Sequence, residues 1–552
     1  MSNTRYRQRL EYFLHNRYYM ASVLFIAVIC YGYSVVNTTV SIDGLEGNRY
    51  IGEGQIMLAA GRFGMKLLAA VLGYGYSTPV YQSCANFLAA SFLVLAALQF
   101  CMLFRRIWKD KISMFGYGVF SCLFISYPLI NEIWEYTGAN VCVTVGCFLS
   151  AAAVSLLYDV MQEPDFSNNR KFTRAFLAVL ALLVIASSYE SLIVVYVFTV
   201  FTVLSMQQLS GEILSVGKTI RRGLCYAMPL AVAVVLRVVV YRFLLIVLDL
   251  TAQAGGATAI RWTLLPFDVV LKDLIKNCIL YYGVRACLYF PVLELVVSVV
   301  VFAFLFAVAI FRVRRPALAL TGVGMLLSLV LLSILQGYYS PYRTCQVFSV
   351  MVALMGMTAY ECISRRYQGK RLTSLCGAAL ALLCLHQATY LNHLLVLDHQ
   401  RSQEEANVIR TIGMDLERGF PDDKPIILTG NYTISQGIQD QVTAKTEEHP
   451  LYAWFQAKTG WETDSTIKYV DTNVNSVINW AATAFSEIGS LGSSAQKLFR
   501  YYGFDLLFEV SPELRQEALA YAEEANVPAF PQDGYIVETP EYILVNLSTI
   551  KE

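Results

Sequence analysis

SCANFLAASFLVLAALQFCMLFRRIWKDK, residues 83–111, decides the fold. From Ser83 to Phe104 no side chain is charged, and as a helix this run is about 33 Å long, enough to cross a hydrocarbon core of about 30 Å. Arg105, Arg106, Lys109 and Lys111 follow at once. Lipid offers backbone N–H and C=O groups no hydrogen-bond partner, so a run of this length is read as a transmembrane helix, and a cluster of Lys and Arg at its end marks the cytoplasmic side.

Working outward, the same pattern recurs along the chain. Of 552 residues, 56% are hydrophobic and 15% charged, and mean hydropathy is +0.50, values of a membrane protein. Apolar runs predict helices near 18–37, 83–104, 112–130, 139–159, 175–188, 190–207, 223–250, 287–311, 316–336, 344–363 and 373–392, eleven in all. The fifth and sixth are read as a tight hairpin, because Ser187, Ser188, Tyr189, Glu190 and Ser191 interrupt the run. The first is a signal anchor: it follows Arg5, Arg7, Arg9 and Arg17 and is too long for a cleaved leader.

With the N-terminus in the cytoplasm, cytoplasmic segments hold 21 Lys and Arg and the opposite loops eight, which sets the orientation. The last stretch is then extracytoplasmic. Residues 391–552 carry 11 basic against 24 acidic residues, a balance that argues against nucleic-acid binding. All 13 cysteines lie between Cys30 and Cys384, so this tail cannot rely on disulfides. The expected architecture is a polytopic α-helical membrane domain over 1–392 and a soluble α/β or α+β domain over 393–552. In the latter KPIILTG reads as a buried strand, FRYYGFDLLFEV and GYIVETPEYILVNLS as strands or hairpins, and PELRQEALAYAEEA as a helix opened by Ser511 and Pro512.

The outer loops hold the candidate chemistry. The first reads SIDGLEGNRYIGEGQIMLAAGRFGMKLLAAVLGYGYSTP; Ile56, Met57, Ala60, Phe63, Met65, Leu67 and Leu68 can line one side of an interfacial helix with Arg62 and Lys66 on the other. Asp43, Glu46 and Arg49 stand three apart just after the first long helix. A carboxylate there can serve as a general base with a pKa raised by partial desolvation, or be a solvated acid paired with Arg49. The second outer loop, NEIWEYTGAN, places Glu132 and Glu135 at the boundary, with Trp134 and Tyr136 as aromatic-belt residues. Arg237 and Arg242 fall inside an apolar run, where a charge is costly and faces a cavity or partner. His386, His393 and His399 are spaced seven and six apart, short of three well-placed zinc ligands. No Walker loop, GxGxxG, HExxH or GxSxG is present.

SIDGLEGNR followed by GRFGM, the YES turn at Tyr189 to Ser191, and PIILTGNY at the start of the tail resemble, in their order, bacterial membrane glucosyltransferases of the O-antigen modifying type II family, within the C-type superfamily of polytopic glycosyltransferases. The resemblance spans most of the chain. It implies an enzyme of the bacterial inner membrane that moves a hexose, glucose foremost, from a polyprenyl-phosphate carrier to an envelope polysaccharide on the outer face, with inversion. On it, Asp43 would deprotonate the acceptor hydroxyl with Glu46 beside it, and Arg62, Arg343, with Arg285 in reserve and Arg242 from within its helix, would bind the phosphate. Arg49, Glu132, Glu135, Tyr189 and Glu190 complete the substrate-binding set. Two positions depart from the family: a second acid often follows the first directly, where this chain has Gly44, and Gln is common where it has Glu190. Asp43, Glu46, Glu132 and Glu135 offer hard oxygen ligands suited to Mg²⁺ or Mn²⁺, although no spacing demands a metal. Two other readings stay open. A transporter or flippase for lipid-linked sugars would use similar charges, but the hydropathy shows no inverted repeat; a non-catalytic envelope assembly protein would leave Asp43 replaceable.

Overall fold

The computed structural model describes residues 2–40, 55–73, 79–136, 138–162, 167–212, 215–250, 260–287, 289–338, 340–366, 370–420, 424–445, 450–460, 466–468, 476–483, 494–509 and 511–547. Among them ten helices are long and apolar enough to cross a membrane. They match the sequence reading except at 316–336, which is two helices, Pro316–Leu329 and Leu331–Gln336, broken at Val330. The protein is thus a polytopic helical membrane protein.

The helices differ in what surrounds them. Pro79–Trp108, Met114–Ser126, Ala139–Gln162, Ser191–Ser210 and Val347–Arg366 form the centre of the bundle, with Phe100, Phe120, Val154, Phe198 and Met351 buried in one core. Small residues let them approach: a Cβ at Gly356 would meet the Leu123 and Val119 side chains. Val216–Val247 and Phe290–Val313 stand at the periphery and expose Ile246, Phe243, Phe304 and Phe311. That surface needs lipid to cover it. The expected hairpin forms, Asn168–Ser188 turning at Tyr189 and Glu190 into Ser191–Ser210.

Two local expectations change. The first outer segment is not one helix: Gln55–Ala59 and Phe63–Leu72 are separated at Gly61, whose φ of 73° suits glycine, and Arg62 becomes the N-cap residue of the second helix. Trp134 is buried and not a belt residue: it stacks on Tyr31 with centroids 4.2 Å apart and donates from Nε1 to Ser34 Oγ at 3.1 Å. Ahead of the first span, Ser2–Leu14 is itself a helix.

Lys370–Gly419 is one continuous helix, so the expected division at 392/393 falls inside it. Its C-terminal part supplies Val408, Ile409, Ile412 and Leu416 to a second core with Phe499, Phe508, Ile543 and Val545. The fully buried strand Ile426–Thr429 pairs in parallel with Ile543–Asn546, which pairs antiparallel with Ile536–Glu538. FRYYG ends the helix Ser494–Tyr501 and is not strand; only Phe508 bridges to Ile426. Ser511 caps Pro512–Glu524 as expected, its side chain accepting from the Leu514 N–H.

Candidate active site

Two of the sequence motifs meet at one end of the bundle. Gly64 of GRFG lies against the serines before the YES turn, where a Cβ would stand 2.7 Å from Ser188 Oγ and 2.9 Å from the Ser187 backbone carbon. Only glycine lets the short helix Phe63–Leu72 approach so closely, and this approach sets Arg62 over the Tyr189 ring, 5.2 Å from its centroid. Arg62 Nη2 stands 3.8 Å from Glu190 Oε2, while Arg237 Nη2 donates to Glu190 Oε1 at 2.6 Å. One carboxylate thus serves two guanidiniums. The firm bond is to Arg237; the looser one leaves Arg62 most of its five N–H donors. Tyr241, one turn beyond Arg237, donates to the Ala59 carbonyl at 2.6 Å and ties the peripheral helix to the same spot.

A second charge cluster adjoins the first. Glu132 is buried on the short helix Asn131–Trp134 and accepts from the Arg343 backbone N–H at 2.9 Å and from its Nη1 at 3.2 Å. Arg343 also reaches the Tyr136 hydroxyl at 3.4 Å. Ser191 donates to Gln346 Oε1 at 2.6 Å, and Gln346 Nε2 donates to the Arg343 carbonyl, so a continuous hydrogen-bonded path joins the Arg343 turn to the residue beside Glu190. Tyr189 sits buried between the clusters. Burial pushes its phenol up to about 12, Arg62 and Arg343 pull it down, and Glu132 and Glu190 raise it. Arg285 stands over the Tyr342 ring at 5.7 Å, next to Arg343.

Asp43, Glu46 and Arg49 lie outside the described residues. The chain leading to them is firmly held, however. The Val40 N–H donates to Ser402 Oγ at 3.0 Å, Arg401 Nη2 donates to the Val40 carbonyl at 3.1 Å, and His399 Nδ1 is 3.1 Å from the Thr38 carbonyl. Arg401 is fully buried and bonded to Asp398 at 2.9 Å and Glu405 at 2.5 Å, and Glu135 adds to its negative surroundings. Glu132 lies in the same short helix that Glu135 caps at its C-terminal end, which brings Val40, the last described residue before Asp43, near the Glu132 and Arg343 pair.

Of the sequence candidates, Arg62, Glu132, Glu135, Tyr189, Glu190, Arg285 and Arg343 come together, and Arg242 does not: it is exposed on the helix that sends Arg237 to Glu190. Arg237 was legible as a charge inside an apolar run. Asp398, Arg401 and Glu405 follow helical i, i+3 and i, i+4 spacing, which from sequence is an ordinary solvated pairing; Ser191 was legible only as part of the YES turn, and nothing signalled Gln346. Among the described residues no group of three or more His, Cys, Asp and Glu is placed to hold a metal ion, and the two described members of the tetrad suggested for Mg²⁺ or Mn²⁺ face Arg343 and Arg401.

The arrangement can bind an anion between arginines at a membrane boundary and, within the same space, hold carboxylates in place. A family model, glucosyl transferase GtrII, matches residues 32–360, more than half of the chain, from the last residues of the first span through the Arg343 turn. No curated protein and no solved structure matches. The extent of the family match, over the segment that builds these clusters, makes this chain a member of the glucosyl transferase GtrII family.

Proposed function

We propose that this glucosyl transferase moves glucose from a polyprenyl-phosphate carrier to an envelope polysaccharide on the extracytoplasmic face of the bacterial inner membrane, with inversion, through a C-type polytopic fold whose residues 393–552 help select the acceptor. The observation that carries the reading is the convergence of Arg62, Arg237 and Arg343, held by Glu190 and Glu132, at the end of the bundle where the Asp43 loop begins. A phosphate leaving the sugar carries growing negative charge, and arginines already oriented by carboxylates stabilise it without reorganising in the transition state.

In this reaction an acceptor hydroxyl oxygen attacks the anomeric carbon, the bond from that carbon to the carrier phosphate oxygen breaks with its electron pair, and the hydroxyl proton passes to a base. Asp43 is assigned that base. It stands three residues beyond Val40 in the chain, and Arg401 holds the Val40 carbonyl. Glu46, and Arg49 with it, are assigned to the acceptor side. Arg62, loosely tethered, takes the phosphate first, with Arg343 and Arg285 behind it. The tail's acidic balance and its anchoring of the loop support an acceptor-facing position.

The test compares envelope glycan composition and linkage in cells carrying the wild-type chain, a deletion, and Asp43→Asn at matched membrane abundance. Loss of one side-branch hexose in both the deletion and Asp43→Asn is expected. A wild-type glycan in Asp43→Asn removes Asp43 from catalysis, and an unchanged glycan in the deletion sinks the envelope-polysaccharide reading.

A further inference from the structure

The helix Ser191–Ser210 separates the Glu190 cluster from a second basic site at its other end. There, a cavity of about 1190 Å³ opens between the N-terminal helix Ser2–Leu14, the ends of Pro79–Trp108 and Ala139–Gln162, and Glu212. Arg9, Arg105, Arg106 and Lys109 line it against two acids, Glu11 and Glu212. Both acids are engaged. Glu11 accepts from Arg7 at 2.7 Å, and Glu212 accepts from Gln162 and Gln207, each at 3.0 Å. Arg106 pairs with Asp159, which also holds Arg174. Arg105 stacks on the Tyr12 ring at 3.3 Å, and among the described residues no carboxylate stands against Arg105 or Lys109.

Such a concave site, with more cations than available acids, is built for an anion, and guanidinium with ammonium suits a phosphate group. The N-terminal helix that borders the cavity tells which kind. Tyr6, Leu14 and Tyr18 are exposed on and beside the N-terminal helix, which also carries Arg5, Arg7 and Arg9, so aromatic and basic residues share the surface as they do where a helix lies at the headgroup level. We propose that this cavity binds the phosphate of an anionic phospholipid, with Arg105 and Lys109 as its principal contacts and Arg9 closing it from the N-terminal helix. The site is independent of glucosyl transfer and fixes the N-terminal helix to the bilayer.

The test uses the full chain, purified and delipidated in a neutral detergent, with phosphatidylglycerol or phosphatidylcholine added at equal concentration and retained lipid counted by native mass spectrometry. Wild type should retain phosphatidylglycerol, Arg105→Gln with Lys109→Gln should retain about tenfold less, and Arg170→Gln, exposed at the start of the helix Asn168–Ser188 and outside the cavity, should match wild type. Thermal unfolding in neutral detergent checks that the double variant folds; if it does not, Lys109→Gln alone, an exposed position, is read in its place. Equal retention of the two lipids overturns the proposal, as does a loss in Arg170→Gln as large as in the double variant, which would mean general charge attraction. Binding of inorganic phosphate at millimolar concentration without retention of phosphatidylglycerol also overturns the lipid assignment and moves the source to a soluble phosphate.

Discussion

Glu190→Gln should have opposite effects on two properties. The carboxylate holds Arg237 at 2.6 Å and Arg62 at 3.8 Å, and all three side chains are between a fifth and a third exposed. Breaking a fully buried pair costs about 3 to 5 kcal/mol and an exposed one about 0 to 1 kcal/mol, so this partly exposed arrangement should lose about 1 to 3 kcal/mol of stability. Glutamine keeps an acceptor oxygen for Arg237, which places the loss toward the lower end. The site meanwhile gains one unit of net positive charge. A phosphate on the far side of Arg62 would lie about 7 Å from the lost carboxylate. Removing that repulsion is worth about 0.6 kcal/mol at the dielectric of water and about 2.4 kcal/mol at an effective dielectric of about 20. A value near 1 kcal/mol, suited to the exposure, tightens carrier binding about fivefold. The assay is competition by a short-chain polyprenyl phosphate in detergent, run beside thermal unfolding of the same sample. Weaker phosphate binding with unchanged stability would refute the reasoning, because Glu190 would then be contacting the ligand itself and not holding the arginines.

Gly64→Val should lose transfer activity and about 1 to 3 kcal/mol of stability, since the new side chain meets Ser187 and Ser188 and separates Arg62 from Glu190; activity per molecule at matched membrane abundance checks it. Arg401→Met leaves Asp398 and Glu405 buried without their cation and should cost about 3 to 5 kcal/mol, much of it recovered when Asp398→Asn and Glu405→Gln are added, as read by limited proteolysis of the full chain. Tyr189 has a folded pKa of about 12 against about 10 when unfolded, so its neutral form stabilises the fold fully below pH about 10 and this contribution is lost as pH rises toward 12. Tyr189→Phe should therefore flatten the fall in melting temperature between those pH values, and an unchanged alkaline limb would count against burial of the phenol.

The helical membrane fold was legible because lipid forbids unsatisfied backbone, and that rule acts on every span in the same way. Residues that bend the rule locally were harder to read. Gly61 splits the first outer segment and turns Arg62 toward Tyr189, yet its sequence, AAGRFG, looks like the middle of an amphipathic helix. Trp134 has the composition of a belt residue and is instead packed on Tyr31, because the short helix that carries it is folded into the bundle. Which of two arginines in one apolar run meets a partner depends on the rotation of the helix, and five residues turn the chain by about 140°, sending Arg237 to Glu190 and Arg242 to the surface. Hydropathy records neither rotation nor neighbour.

The long helix Lys370–Gly419 gives the tail a role that follows from mechanics. Its residues from Val408 to Leu416 belong to the same core as the strands of the tail, and so does Val40, which lies just before the loop with Asp43. Arg401 and Ser402, on the stretch between, hold both backbone polar groups of Val40. A buried arginine bonded to two carboxylates and a carbonyl has few other positions open to it, so the end of the first span cannot shift without moving the tail. The tail therefore fixes one end of the loop assigned to the base, while Glu190 and Glu132 fix the arginines assigned to the phosphate. In an inverting displacement the attacking and leaving oxygens must lie in line across one carbon. The two anchors, Arg401 on Val40 and Glu190 with Glu132 on the arginines, are what the proposed inverting transfer would draw on to meet that demand.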